Sequence, residues 1–260
     1  MRIIFEARSA LIKLGEKSFG PFSLQIKEGE RIAILGPSGA GKSTLLKLLS
    51  GEIKPHLGSL RLKGINLHRL TAFGLSRVRA VLPQGSEVAF GLPVEVVIRM
   101  GRIALPENAK TQEVIIEAAR LACCGGLLKR NFDTLSGGEK ARVQLARVFA
   151  QLSDEKNGCI FVDEPLASLD PGLQIDIMAG MQQFAKERGH AIVAILHDIN
   201  QALQHFDRLI LVKEGSVVGD YPTGYDVVPP IEKLYDIKLD VVDICSVTPL
   251  VFPKAKIFTG

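Results

Sequence analysis

The feature that most constrains this chain is the run Gly36-Pro37-Ser38-Gly39-Ala40-Gly41-Lys42-Ser43, which fits G-x-x-x-x-G-K-[ST]. Such a run cradles phosphate only when a buried strand enters it and a helix leaves it. Both flanks are present: Arg31 to Leu35 is a short apolar run, and Leu45, Leu46, Leu48 and Leu49 form one face of a helix that Gly51 ends. Residues without Cβ let successive backbone N–H groups turn inward as an anion nest, and the helix N-terminus adds partial positive charge. Lys42 would reach the β- and γ-phosphates and Ser43 would bind Mg2+, so the stretch from Gly36 to Thr44 is the candidate nucleotide-binding segment.

The remaining chain is large enough to house such a site. With 260 residues, 47% of them hydrophobic and 23% charged, it is globular, and its length suits one large domain or a domain with an insertion. Cys123, Cys124, Cys159 and Cys245 form no CxxC frame and read as reduced structural thiols. A net charge of +4 without a basic run argues against a nucleic-acid partner. No apolar run approaches the roughly 18 residues that cross a bilayer. Charge also arrives too early at Arg2 and Glu6 for a secretory leader, so a cytoplasmic protein is expected.

Alternation of Phe22, Leu24 and Ile26 with polar residues predicts short antiparallel strands over the first thirty residues, with Gly15, Gly20 and Gly29 as turns. Cys159 to Val162 and Ala191 to Leu196 are apolar on both faces, as parallel strands covered on both sides are. Between Gln84 and Phe132 the pattern turns helical, broken by Pro93, Pro106 and Gly125-Gly126, and an inserted helical subdomain over residues 85–133 is expected. Beyond Phe206 a hairpin around Glu214-Gly215, a short helix and a last strand follow.

Hydrolysis needs a metal-holding carboxylate and a group that orients water. Asp163 and Glu164 close the run Cys159-Ile160-Phe161-Val162; alone such a pair reads as a solvated turn, but beside a phosphate loop it would put Asp163 at Mg2+ and Glu164 near the attacking water. Leu135-Ser136-Gly137-Gly138-Glu139 opens another helix; Ser136 and Glu139 satisfy the capping-box spacing, so capping and anion binding both fit. His197, which ends the run from Ala191, reads by itself as a core or turn histidine. His56, His68, His190 and His205 have no ligand-like spacing and read as surface or structural residues.

Taken together, the phosphate loop, Gln84, LSGGE, the acidic pair and His197, in that order along nearly the whole chain, resemble the nucleotide-binding subunits of ABC transporters. The resemblance implies an α/β P-loop NTPase fold with a mixed parallel core sheet, an N-terminal antiparallel β subdomain and the helical insert, in a single nucleotide-binding domain. It implies that Gln84 contacts Mg2+ or water, that Asp163 holds Mg2+, that Glu164 is the general base and that His197 touches the γ-phosphate. Ser136, Gly137, Gly138 and Asp170, the last within a Ser168-Leu169-Asp170 match, would meet ATP held by a second copy in a head-to-tail dimer. Two permease subunits are the implied membrane partners, docked on a groove near Gly85 to Leu92 where Val88, Phe90 and Leu92 would be exposed.

Departures from the family pattern also carry expectations. The usual adenine-stacking aromatic is replaced by Leu14, and Phe19 is the candidate substitute; Glu139 stands for the commoner glutamine. The stretch Arg79 to Gln84, with Val94-Glu95-Val96-Val97 and Thr248 to Pro253, is similar to importers of iron chelates, cobalamin and especially haem. For this group a peripheral place on the cytoplasmic face of the inner membrane and, indirectly, a periplasmic haem-binding protein are implied. A soluble ABC-type ATPase acting on DNA or ribosomes would use the same site, but such proteins fuse two halves or carry long basic or coiled-coil insertions; a phosphate-loop kinase would lack LSGGE.

Overall fold

Phe22, Leu24 and Ile26 do share one buried face, in an antiparallel ribbon of β1 (Ile3–Leu14) and β2 (Lys17–Lys27). The computed structural model describes residues 2–83, 91–164, 169–243 and 247–254. Gln84, Val88, Phe90, Ser168 and Cys245, all singled out above, lie outside the described residues, as does the start of the 85–133 segment.

The chain continues through β3 (Arg31–Leu35), α1 (Lys42–Ser50), β4 (Leu57–Leu62), β5 (Ile65–Asn66), α2 (Ala72–Ser76) and β6 (Arg79–Leu82). Helices α3 (Val94–Arg99), α4 (Thr111–Leu121) and α5 (Gly137–Leu152) precede β7 (Cys159–Asp163) and α6 (Pro171–Arg188). Then follow β8 (Ala191–Ile195), α7 (Ile199–His205), β9 (Arg208–Lys213), β10 (Ser216–Pro222), α8 (Val228–Tyr235), β11 (Leu239–Val242) and β12 (Leu250–Pro253).

The described residues form three sheets. β2-β1-β4-β5 is antiparallel; β10-β9-β3-β8-β7-β6 is parallel except for the β9–β10 hairpin; β11 and β12 form a separate antiparallel pair. The mixed central sheet and the N-terminal antiparallel sheet are the architecture expected from the sequence. Every residue of β7 and of β8 is buried, which accounts for their unbroken apolar sequence.

Two expectations need correction. The first strands are not short, since β1 and β2 run for 12 and 11 residues. Gly20 is not a turn: it lies inside β2 at φ +100°, where a Cβ would stand 2.6 Å from the Ala10 carbonyl oxygen, beside a register shift between Ala10 and Ile12. Glycine serves close approach there rather than chain reversal.

Residues flanking α3 and α4 return to where they left. Val94 N–H donates to Arg130 O at 2.9 Å and Phe132 N–H to Leu92 O at 2.9 Å. Among the described residues the segment shares its core with the central sheet: Val94, Val97, Ile98, Ile115 and Ala118 join one buried cluster with Ala33, Leu35 and Leu82. Leu92, expected to be exposed, is instead half-buried against that cluster.

His190 is fully buried. Its Nδ1 accepts the Gly158 N–H at 2.9 Å and its Nε2 faces Leu152 O at 3.2 Å, so the ring is neutral with the proton on Nε2. Burial pushes its pKa down to about 4, against the opposing pull of the Leu152 carbonyl. An unfolded histidine titrates near 6.5, so this contribution to stability is complete above pH 6.5 and is lost as pH falls toward 4. Urea unfolding is expected to show a loss of about 2 kcal/mol between pH 7 and pH 5. His190→Asn should lower stability at pH 7.5 and flatten that slope; an unchanged slope would assign it to other groups.

Candidate functional site

β8 lies between β3 and β7, and in both pairings Ile195 is the residue opposite: Ile34 on one side, Asp163 on the other. The carboxyl ends of three adjacent strands therefore finish level, where open α/β sheets hold ligands. β3 delivers the glycine loop, β7 delivers Asp163 and Glu164, and β8 delivers His197.

The loop is shaped by close contact. A Cβ on Gly36 would sit 2.2 Å from the Val212 carbonyl oxygen, and Gly41 lies at φ +100° against the Phe19 ring. Gly36 N–H donates to the Tyr235 hydroxyl at 3.0 Å, which ties the loop to α8. No side chain caps the N-terminus of α1, so its first amides are available to an anion. Lys42 is 6% exposed and its Nζ donates to Gly36 O at 2.7 Å and Pro37 O at 3.0 Å. Burial lowers its pKa, and Glu164 and Asp163 oppose that shift.

Asp163 is 8% exposed, and its Oδ1 is buried with no hydrogen-bond partner among the described residues. Burial raises its pKa, while a hydrogen bond from Ser43 pulls the other way. A hard divalent cation seeks such oxygen donors. The orphaned Oδ1, on the carboxyl that Ser43 hydrogen-bonds, is thus a fitting half-shell for Mg2+.

Glu164 follows at φ +52°, a conformation rare for a residue with a Cβ, and its N–H bonds Ile195 O at 3.3 Å. Its Oε1 contacts His197 Nε2; because a carboxylate only accepts, that ring nitrogen carries the proton. Phe19, residues 38–44, Glu164 and His197 line a cavity of about 310 Å³. Among the described lining residues Phe19 is the aromatic ring, whereas Leu14 sits at the end of β1, 45% exposed, and is not part of the lining.

Ser136, Gly137 and Gly138 are elsewhere, at the start of α5, and Asp170 caps α6 by accepting Leu173 N–H at 3.0 Å. None of these four lines the cavity. The capping box is formed: Ser136 Oγ accepts Glu139 N–H at 3.3 Å and Glu139 Oε2 accepts Ser136 N–H at 2.8 Å. Tyr235 was not legible as a site neighbour, since nothing marks a tyrosine on an amphipathic helix 199 residues away in sequence.

A glycine loop, an orphaned carboxylate and a strained glutamate at level strand ends define a P-loop nucleoside triphosphatase. Residues 19–167 match the ABC transporter family, and the chain belongs to it. It is an ATPase coupled to transport, similar to proteins named hemin import ATP-binding protein HmuV. That of Agrobacterium fabrum is 40% identical over 217 residues, covering 82% of this chain and 83% of that protein. That of Hydrogenovibrio crunogenus is 35% identical over 245 residues, covering 92% and 95%. Among solved structures, a metal-chelate type ABC transporter in an inward-facing conformation overlays with a TM-score of 0.80 over 98% of this chain and 99% of that one, at 21% identity. A dimeric ATP-binding cassette with ADP and Pi overlays at 0.74, covering 85% and 100%, at 25% identity.

If Asp163 is held charged against its burial, Asp163→Asn should raise stability in EDTA by about 1 kcal/mol, or about 2–4 °C. The same variant should lose the rise in melting temperature that Mg-ATP gives the wild type. A variant still stabilised by Mg-ATP as strongly as wild type would remove Asp163 from the metal site.

Proposed function

We propose that this chain is the ATP-hydrolysing subunit of a haem importer, acting as a pair of copies on the cytoplasmic face of the inner membrane. The observation that carries the haem reading is 35–44% identity to hemin import ATP-binding proteins over as much as 92% of the chain. The whole chain serves as one nucleotide-binding domain, with residues 85–133 as its helical insert. Two permease subunits dock on the pair, fed indirectly by a periplasmic haem-binding protein. Among the described residues no helix is long and apolar enough to cross a membrane, in keeping with a peripheral subunit. A cleft of about 340 Å³ on the helical side, lined by Val96, Met100 and Ile103, supports permease docking there; Ile103 is 86% exposed.

ATP lies in the loop from Gly36 to Thr44, with its adenine on Phe19. Lys42 turns its ammonium from the Gly36 and Pro37 carbonyls to the β- and γ-phosphates, exchanging neutral acceptors for charged ones. Ser43, Asp163 and Gln84 hold Mg2+, which when bound neutralises charge on the phosphoryl oxygens. Glu164 takes the proton of the attacking water, its carboxylate oriented by the His197 Nε2–H. His197 also faces the γ-phosphate. Ser136, Gly137, Gly138 and Asp170 complete the site of the other copy, a reading supported by the exposure of Ser136, Gly137 and Asp170, with Gly138 half-buried beside them, at helix starts outside their own cavity.

Glu164→Gln is expected to bind ATP, lose at least about 100-fold in turnover and accumulate as a dimer on size exclusion. Near-wild-type hydrolysis would remove Glu164 from the base role. Ser136→Arg should abolish ATP-driven pairing with single-copy nucleotide binding intact, and surviving pairing would refute the trans site. The substrate is decided by vesicles rebuilt with the cognate permease and offered haem, a ferric siderophore or cobalamin. ATP-dependent uptake of haem alone supports the proposal; uptake of another cargo without haem overturns it.

A further inference from the structure

His197 is 54% exposed, so its place against Glu164 is set by the backbone turn that carries it rather than by packing. That turn is unusually well tied. Two residues on, α7 begins, with the Asp198 carboxylate accepting the Gln201 N–H at 3.0 Å. The Asn200 side chain donates to Val251 O at 3.0 Å and accepts Val251 N–H at 2.9 Å, fixing α7 to β12. On the other flank the Gln201 side-chain Nε2 donates to Gln174 Oε1 at 2.6 Å, and Gln174 Nε2 donates to Leu169 O at 3.0 Å.

The direction of this chain is dictated by chemistry. A carbonyl can only accept, so Gln174 must turn its NH2 toward Leu169, which leaves its Oε1 for Gln201 and requires Gln201 to present a donor. Leu169 adjoins Asp170, and Gln174 N–H also bonds Asp170 O at 2.9 Å. Two amides, both half-buried, thus span from residues 169–170 to the first turn after His197.

We propose that Gln174 and Gln201 form a positioning bridge that holds the His197 turn in register with residues 169–170, so that contact of a second copy at Asp170 governs turnover without altering nucleotide binding. The proposal rests on the two-copy reading above, which supplies the contact at Asp170. Neither glutamine lines the nucleotide cavity, so each acts through His197 and not on ATP.

Steady-state hydrolysis and nucleotide binding by the full chain test it. Gln174→Met and Gln201→Met are each expected to lower kcat about fivefold with KM for ATP within twofold. The double variant should be no slower than the worse single, because both cut one link. Gln201→Lys, which keeps a donor, should stay within twofold of wild type, whereas Gln201→Glu, which offers only acceptors, should fall like the methionine variant. The Lys and Glu variants are equally polar, so general damage to the fold would strike both. Losses that multiply in the double variant, equal loss in the Lys and Glu variants, or a rise in KM matching the fall in kcat would overturn the bridge. ATP-driven pairing should survive in all these variants, and its loss would also overturn it. Failure of the wild-type chain itself to pair with ATP would instead remove the two-copy reading, and the Lys-against-Glu contrast would still report whether the bridge positions His197.

Discussion

The level ends of β3, β8 and β7 are the constraint on which the nucleotide site depends, yet the strands themselves do little to specify it. A strand buried on one face fixes its register by alternation, because a slip of one residue turns every side chain over. β7 and β8 are buried along their whole length, so alternation is absent and a slip would exchange one apolar side chain for another. Their relation is pinned from the opposite end of the sheet. Gly158, just before β7, donates to the ring of His190, just before β8, and accepts the Ala191 N–H at 2.9 Å. A Cβ on Gly158 would meet the Val78 carbonyl oxygen at 2.8 Å, so only glycine fits between β6 and this ring. A neutral histidine at the amino ends of the strands thereby sets where Asp163 and His197 emerge at the carboxyl ends.

At those carboxyl ends several groups sit at a local energetic disadvantage. Asp163 keeps a buried oxygen unpaired, Lys42 makes do with carbonyls, α1 has no side-chain cap and Glu164 carries a positive φ. The orphaned oxygen and the positive φ each cost stability of the order of 1 kcal/mol or more. Lys42, the start of α1 and Glu164 line one cavity, with Asp163 bonded to the lining residue Ser43, and in the proposed reading a magnesium-bound triphosphate would answer several at once: cation for Asp163, anion for Lys42 and for the helix amides. The large buried clusters on either side of the central sheet supply the stability against which this local deficit is set.

Much of this was legible in the sequence because the relevant signals are local. The glycine loop, the unbroken apolar runs and the capping-box spacing each belong to contiguous residues, and the strands and helices they implied are present. Gly20 misled because a glycine demanded by a neighbouring strand looks, in one dimension, like a glycine demanded by a turn. Leu92 misled because exposure depends on what folds back over it, here the cluster shared by the helical segment and the central sheet. Phe19 as a lining ring could be anticipated only through the vacancy left by Leu14. Tyr235, Gln174 and Gln201 carried no signal at all: each is an ordinary residue on a helix whose polar end meets a distant partner.

The LSGGE segment resolves the tension between capping and anion binding, because hydrogen-bond arithmetic permits both. Ser136 Oγ uses one lone pair to accept Glu139 N–H, while its hydroxyl also bonds the Glu139 carboxyl and can rotate from there toward a stronger acceptor. Glu139 would oppose an incoming anion if its charge stood alone. It does not: Oε2 takes the Ser136 N–H and Oε1 takes Arg130 at 2.9 Å, and these bonds, the backbone one foremost, hold its carboxyl below the usual range. A glutamine at this position could make the backbone bond but would have no charge to hold Arg130. With Arg130 drawn in, the helix start presents glycine amides, a compensated carboxylate and a hydroxyl that can turn from Glu139, so in the proposed two-copy reading a phosphate borne by the other chain would meet it without repulsion.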